Sequence, residues 1–513
     1  MISSPDPIHD TRNPEPLRVH PAIWIGLVLA LTAMAFLFTP WGGTVGLDGH
    51  MYVEGAHSIA TTGGYRVLTA VGQPPLGTYP PMFPALIAPG FFAVRDFAAD
   101  AWILRLIPAL VSVASLLLLF RTLVTYNVPP IIAAGSALLL GSSLTWNLLL
   151  GNFMAEPLFL MLVNLACLWS RPDNLPKRGE AGSNRWWLIL GLLSGLLFLT
   201  RSAAVGIVAG IGLAWLYGRW WKQPLSGVAF AIPFLALALP WVLIPKGSSA
   251  SYGDAFRWFY EKNGGPKGYL GTCLTQVLEL PLGRATADLL SDILGRLPYI
   301  PAVNQLHLGK LTQVPLLAAG LFGSWVVLRG YRLANLQGRR AVILPMAFYM
   351  LQIIFWPFVM GPRGAIFLLP VVFNWGWLGW KSLRKQRAQT EALVLIALCM
   401  VPNLYFSFRA SQVPEAGRIE SLVPVTDWLR TNAAGKSIGV ADDVRGLELS
   451  LLLGRPVLRG VNPNAGTFRL YSHPVGSRVD LFVAVRGSKQ PPELQGAPIR
   501  FESTFYQVFE LQR

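Results

Sequence analysis

The feature that most constrains this chain is a succession of apolar stretches close to twenty residues long, each bounded by charge, proline or glycine. An α-helix needs about 20 mostly apolar residues to cross a hydrocarbon core roughly 30 Å thick, because lipid offers no partner to a backbone N–H or C=O and a helix satisfies both internally. Such stretches fall near 22–40, 101–124, 130–150, 153–170, 186–200, 203–220, 225–245, 312–329, 341–360, 364–380 and 390–408, which predicts about eleven transmembrane helices. Charged residues make up only 13% of the 513, against about 25% in a soluble domain. The formal charge of +16 comes from bases in short loops between the apolar runs, with no basic domain or basic-aromatic stripe, which speaks against a nucleic-acid partner. Cys167 and Cys399 lie inside apolar runs and Cys273 stands alone, so no disulfide framework or CxxC metal site is available.

Short cytoplasmic loops retain Lys and Arg. With the N-terminus inside, alternate loops carry Arg121; Arg171, Lys177, Arg178 and Arg185; Arg219 and Lys222; Arg329, Arg332, Arg339 and Arg340; and Lys381, Arg384, Lys385 and Arg387. The opposite connections, 41–100 and 246–311, then face outward together with the tail beyond 409. The expected organisation is a cytoplasmic N-terminal tail (1–21), a transmembrane domain (22–408) and an extracytoplasmic α/β domain (409–513) of an inner-membrane protein. In the tail SIGVADDV, LSLLLGRPVLRG and VDLFVAVRG read as short strands, and PVTDWLRTNAAG as a helix ending at Gly435.

The chemistry-bearing residues collect on the outer side. Asp48 follows the first span closely, and residues 48–60 can form an amphipathic helix in the interface plane with Tyr52, Ala56 and Ile59 on one face, ended by Gly63-Gly64. Local sequence equally allows Asp48 to be a helix cap. Glu156 is a lone acid inside an apolar run, for which Arg105 is a possible partner; an intramembrane carboxylate marks either function or a buried ion pair. Arg201 and Arg363 stand at outer helix ends, where a guanidinium near lipid needs an anion or must snorkel. His50, Glu54 and His57 share a helical face and have metal-ligand spacing, but they read as polar residues of an interfacial helix. In the second outer loop LTQVLELPLGRATADLLSDILGRLP, carrying Glu279, Asp288 and Asp292, reads as an amphipathic helix capping a cavity.

Asp48 with Tyr52 and Ala56, then TYPPMFPALIAPG, NFMAEPLFLMLVNLA, GLLSGLLFLTRSAAV, MGPRGAIFLLPVV and the tail segment VTDWLRTNAAGKSIGVADD with LLLGRPVL occur in the order of a known pattern. Together they resemble the polyprenyl-phosphate-dependent glycosyltransferases of the GT-C superfamily, near the protein O-mannosyltransferase and lipid A aminoarabinose transferase branches. The resemblance implies a polytopic α-helical fold and inverting transfer of a hexose or pentose from a polyprenyl-phosphate donor to a glycan, lipid or protein acceptor outside the cytoplasm. It puts Asp48 in the place of the catalytic base, with Arg363 and Arg201 as candidates for the leaving phosphate and Tyr52, Tyr79 and Glu156 lining or supporting the cavity. A phosphate held by arginine needs no metal, so none is expected. Two positions depart from the pattern: Gly49 stands where many protein mannosyltransferases carry Glu, and Tyr79 where some aminoarabinose-transferase relatives carry Lys. The rival readings are a transporter or flippase, which needs charges along a path at the bilayer midplane, and a non-catalytic relative whose outer domain binds a partner.

Overall fold

The computed structural model describes residues 19–40, 47–68, 73–77, 79–94, 97–170, 183–217, 222–244, 257, 260–261, 265–279, 309–333, 340–354, 362–412, 419–440, 448–450, 452–453, 457–459, 480–486 and 497–510. Among these it is mostly helical. The helices are α1 (Pro21–Leu37), α2 (Leu47–Thr62), α3 (Met82–Phe91), α4 (Phe97–Thr125), α5 (Pro130–Ser142), α6 (Leu144–Gly151), α7 (Glu156–Trp169), α8 (Ser183–Thr200), α9 (Val205–Tyr217), α10 (Pro224–Leu243), α11 (Pro266–Glu279), α12 (Gly309–Leu333), α13 (Arg340–Ile354), α14 (Leu369–Arg384), α15 (Ala388–Ser411) and α16 (Val423–Asn432). Short turns at Ser202–Ala204 and Pro362–Ala365 precede α9 and α14.

By length and composition three of the described segments can cross a membrane, Trp102–Thr125, Pro224–Leu243 and Ile366–Ser411, and a fourth if α5 and α6 form one bent span. Pro21–Leu37, Glu156–Trp169, Ser202–Leu216 and Pro345–Ile354 are apolar but shorter than a full crossing. Ile366–Ser411 holds two of the expected spans, and the chain breaks between them at Lys385, whose φ of 47° no helix tolerates. The stretch 130–150 is bent by 58° instead of straight. The bend is stabilised by side chains that satisfy the freed carbonyls: the Asn147 amide donates to Gly141 and Ser143, and Ser407 of α15 donates to Ser142.

Where lipid gives no hydrophobic drive between helices, close approach is what joins them, and small residues permit it. Gly191 and Gly195 lie one turn apart on α8, against Phe230 and Leu237 of α10. Gly206 sits against Phe348 and Tyr349 of α13, and Gly330 and Gly379 bring the backbones of α12 and α14 together. One large apolar cluster joins α1 through α9 with α13 and α14. The helix read at 48–60 is present as α2, but its polar face is not turned to water: His50, Glu54 and Ser58 are all buried. It is covered by α3 and by a strap in which residues 65–67 pair with 74–76. That cover comes from tertiary pairing, which helical periodicity does not register.

The C-terminal segment forms a five-stranded sheet, β1 (Ile438–Val440), β2 (Leu458–Arg459), β3 (Leu481–Val485), β4 (Ile499–Glu502) and β5 (Tyr506–Glu510), in the order β2-β1-β3-β5-β4. β1 pairs in parallel with β2 and β3, while β5 runs antiparallel to β3 and β4. Val425 and Leu429 of α16 join a second core with Ile438, Leu481 and Val508. Within LSLLLGRPVLRG, read as strand, residues 449–450 and 452–453 are helical. Buried Leu449 and Leu452 are three apart, which places them on one helical face, and strand begins only at Leu458. The capping helix expected around Asp288 and Asp292 lies outside the described residues.

Candidate active site

Six residues brought together at one end of the helical bundle come from different segments. Asp48 lies in the first turn of α2 and Tyr52 one turn on. Tyr79 stands at the end of the strap before α3, Glu156 opens α7, Arg201 lies between α8 and α9, and Arg363 lies in the turn before α14. Helix ends suit such groups, because N-termini favour carboxylates and irregular backbone there can aim a guanidinium inward.

Each oxygen of Asp48 has a partner. The Tyr79 hydroxyl donates to Oδ1 at 2.8 Å and Arg363 Nη1 donates to Oδ2 at 2.6 Å. The pair is reachable, with side chains 26% and 34% exposed. Beneath it Arg201 is ion-paired with Glu156, and this second pair is buried, at 14% and 1%. Glu156 therefore takes Arg201 as partner and not Arg105. The Arg201 guanidinium lies over the Phe367 ring, 5.7 Å from its centroid. The two pairs are one constellation, since Arg363 interacts electrostatically with Glu156 and Arg201 as well as with Asp48. Tyr52 is buried in its wall, edge-on to Tyr79 and Phe83 at 5.5 Å each, and close enough to Arg201 to interact electrostatically.

Sequence reading passed over Tyr349 of α13. Its side chain is fully buried beside Arg201, Glu156 and Arg363, and its hydroxyl has no hydrogen-bond partner among the described residues. Further from the site, α7, α8, α9 and α13 line a small, partly open apolar cleft of about 30 Å³, bordered by Val163, Cys167, Leu197, Ile207, Ile211 and Met346. Leu197 is four residues before Arg201 and Met346 three before Tyr349, so the near edge of the cleft lies about one helical turn from the charged layer. No group of three His, Cys, Asp or Glu able to hold a metal occurs among the described residues, and His50, Glu54 and His57 form none. Burial holds His57 below its ordinary 6.5 against the opposing pull of Glu54, and its ring packs on Phe91 at 5.0 Å.

Neither a family model nor a curated protein sequence matches the chain. Solved structures do. The crystal structure of ArnT from Cupriavidus metallidurans bound to undecaprenyl phosphate matches over 95% of this chain and 98% of that one, with TM-score 0.55 at 12% identity. The oligosaccharyltransferase of Archaeoglobus fulgidus, in complex with Zn and sulfate, matches over 86% of this chain and 62% of that one, with TM-score 0.55 at 14% identity. At such identities the likeness is one of fold. The likeness to ArnT extends over nearly the whole chain, so this chain shares that fold, and the apolar helices described above fit a polytopic membrane protein.

Proposed function

We propose that the protein is a glycosyltransferase that passes a hexose or pentose from a polyprenyl-phosphate donor to an acceptor hydroxyl on the extracytoplasmic face of the inner membrane. The observation that carries this is Asp48 held between a phenol and a guanidinium, one layer above a second buried guanidinium and an apolar cleft. That is the sequence of environments a lipid-linked sugar presents: a polar ring, a phosphate and a hydrocarbon tail. ArnT of Cupriavidus metallidurans is seen bound to undecaprenyl phosphate, and a lipid of that class is the donor proposed here.

In the proposed reaction the donor phosphate draws Arg363 from Asp48, leaving the carboxylate free beside the acceptor. Asp48 takes the proton of the acceptor hydroxyl as its oxygen attacks the anomeric carbon. The bond from that carbon to the phosphate oxygen breaks, and the electron pair leaves on the polyprenyl phosphate. Direct attack from the opposite face inverts the anomeric centre. Arg363 and Arg201 neutralise the charge developing on the leaving group, a role that fixed cations in a site poor in water perform well, and so the transfer is proposed to be metal-independent. Tyr52 and Glu156 hold the walls and orient Arg201.

The test is transfer of radiolabelled sugar by purified protein from a panel of polyprenyl-phosphate donors, with metal chelated. Labelled acceptor is the expected result. No transfer from any donor, together with substrate flux into proteoliposomes, would replace this function with transport.

A further inference from the structure

Tyr79, expected to line or support the cavity, directs its hydroxyl to the carboxylate of Asp48. What directs it there is a chain of contacts that starts on α2 itself. The strap closes on itself through Val67 N–H to the Pro74 carbonyl at 2.9 Å and Leu76 N–H to the Tyr65 carbonyl at 3.0 Å. It is tied to α2 by the Ser58 hydroxyl, which donates to the Gly64 carbonyl and accepts from Arg66 N–H, and by packing of Val67 and Leu76 on Met51. Tyr65 then donates its hydroxyl to the Tyr79 carbonyl at 3.0 Å. Its ring lies against Gly55, where an added Cβ would come within 2.4 Å of Cε2, and packs edge-on to Trp241 of α10 at 6.0 Å. Tyr52, one turn from Asp48, supports the Tyr79 ring from the other side.

We infer that Tyr65 and Tyr79 are positioning residues for Asp48: Gly55 seats Tyr65, Tyr65 fixes the backbone of Tyr79, and Tyr79 holds Oδ1 of the carboxylate so that Oδ2, the oxygen Arg363 releases when it turns to the donor phosphate, faces the acceptor. The inference rests on Asp48 acting as the base proposed above. A carboxylate in a single orientation accepts a proton along one line, and a rotation of that group misaligns it without altering donor affinity. The donor phosphate accordingly takes no contact from Tyr79.

Two variants that remove only a hydroxyl test this, Tyr79→Phe and Tyr65→Phe, each measured for thermal midpoint, binding of tritiated undecaprenyl phosphate, and steady-state transfer. The expected result is unchanged lipid binding and donor KM, with kcat reduced about ten- to hundredfold in Tyr79→Phe, the weight of a hydrogen bond to a charged group, and about two- to tenfold in Tyr65→Phe, that of a neutral one. Weakened lipid binding with kcat retained would overturn the inference and make Tyr79 a phosphate ligand. An infrared measurement stands apart from activity. The C–O band of Tyr79, assigned by its loss in Tyr79→Phe, shifts in Asp48→Asn if the phenol donates to the carboxylate; a band that stays in place overturns the inference. Because this readout needs no turnover, it separates failure of the positioning role from failure of the transferase function.

Discussion

Removing one member of the buried Glu156–Arg201 pair gives a prediction with a calculable size. The side chains are 1% and 14% exposed, so Glu156→Gln leaves a guanidinium with its counter-ion deleted at a depth water reaches poorly. Breaking a buried pair from one side costs about 3–5 kcal/mol, most of it the desolvation of the charge left behind. Unfolding entropy of about 2 cal/mol/K per residue over 513 residues is about 1.1 kcal/mol/K, which converts the loss into a fall of about 3–5 °C in thermal midpoint. Arg201→Gln suffers similarly. The double variant Glu156→Gln/Arg201→Gln buries no charge and recovers more than half of either single loss, since the penalty belongs to the unpaired ion rather than to the missing attraction. The assay is thermal unfolding of all four proteins in one detergent, followed by tryptophan fluorescence. Single losses that simply add in the double variant would refute the pairing.

Other predictions follow from the same geometry. Arg363→Ala removes the cation nearest the proposed leaving group and is expected to lower kcat about 10²–10³-fold, read in steady-state transfer assays. Gly330→Ala forces a methyl into the Trp375 backbone and Gly191→Ala one into that of Phe230, so each destabilises by about 1–3 kcal/mol, whereas Gly212→Ala meets nothing within 4 Å and is neutral by thermal unfolding. In the C-terminal sheet, hydrogen bonds from Lys436 and Arg500 hold the Glu510 carboxyl below its ordinary 4.5. A depressed folded pKa stabilises above the unfolded value, so that small contribution is present above pH 4.5 and is lost as pH falls below it; Glu510→Gln removes this part of the acid sensitivity seen by circular dichroism.

Much of the site was legible because charge in an apolar chain is conspicuous. Asp48, Glu156, Arg201 and Arg363 stand out at helix ends where lipid penalises them, and the structure brings these four together. Which acid meets which base was not legible: Arg105 and Arg201 are equally basic in sequence, both α4 and α8 pack on α7, and only the folded structure shows Arg201 at Glu156. Tyr349 and Tyr65 were hidden for the opposite reason, since a tyrosine among 27 phenylalanines and 18 tryptophans carries no signal until its hydroxyl is seen. The burial of α2 depends on a strap folding back over it, and the bend at Ser143 depends on Asn147 and Ser407, the latter some 260 residues away in sequence. Neither leaves a local periodic trace.

The central claim, that Asp48 is the base of a sugar transfer, is tested most directly by single-turnover reaction of preloaded donor in wild type and Asp48→Asn, with bound donor quantified in the same samples. The account predicts equal donor occupancy and transfer reduced at least about 100-fold in the variant. Equal occupancy with undiminished transfer would contradict it.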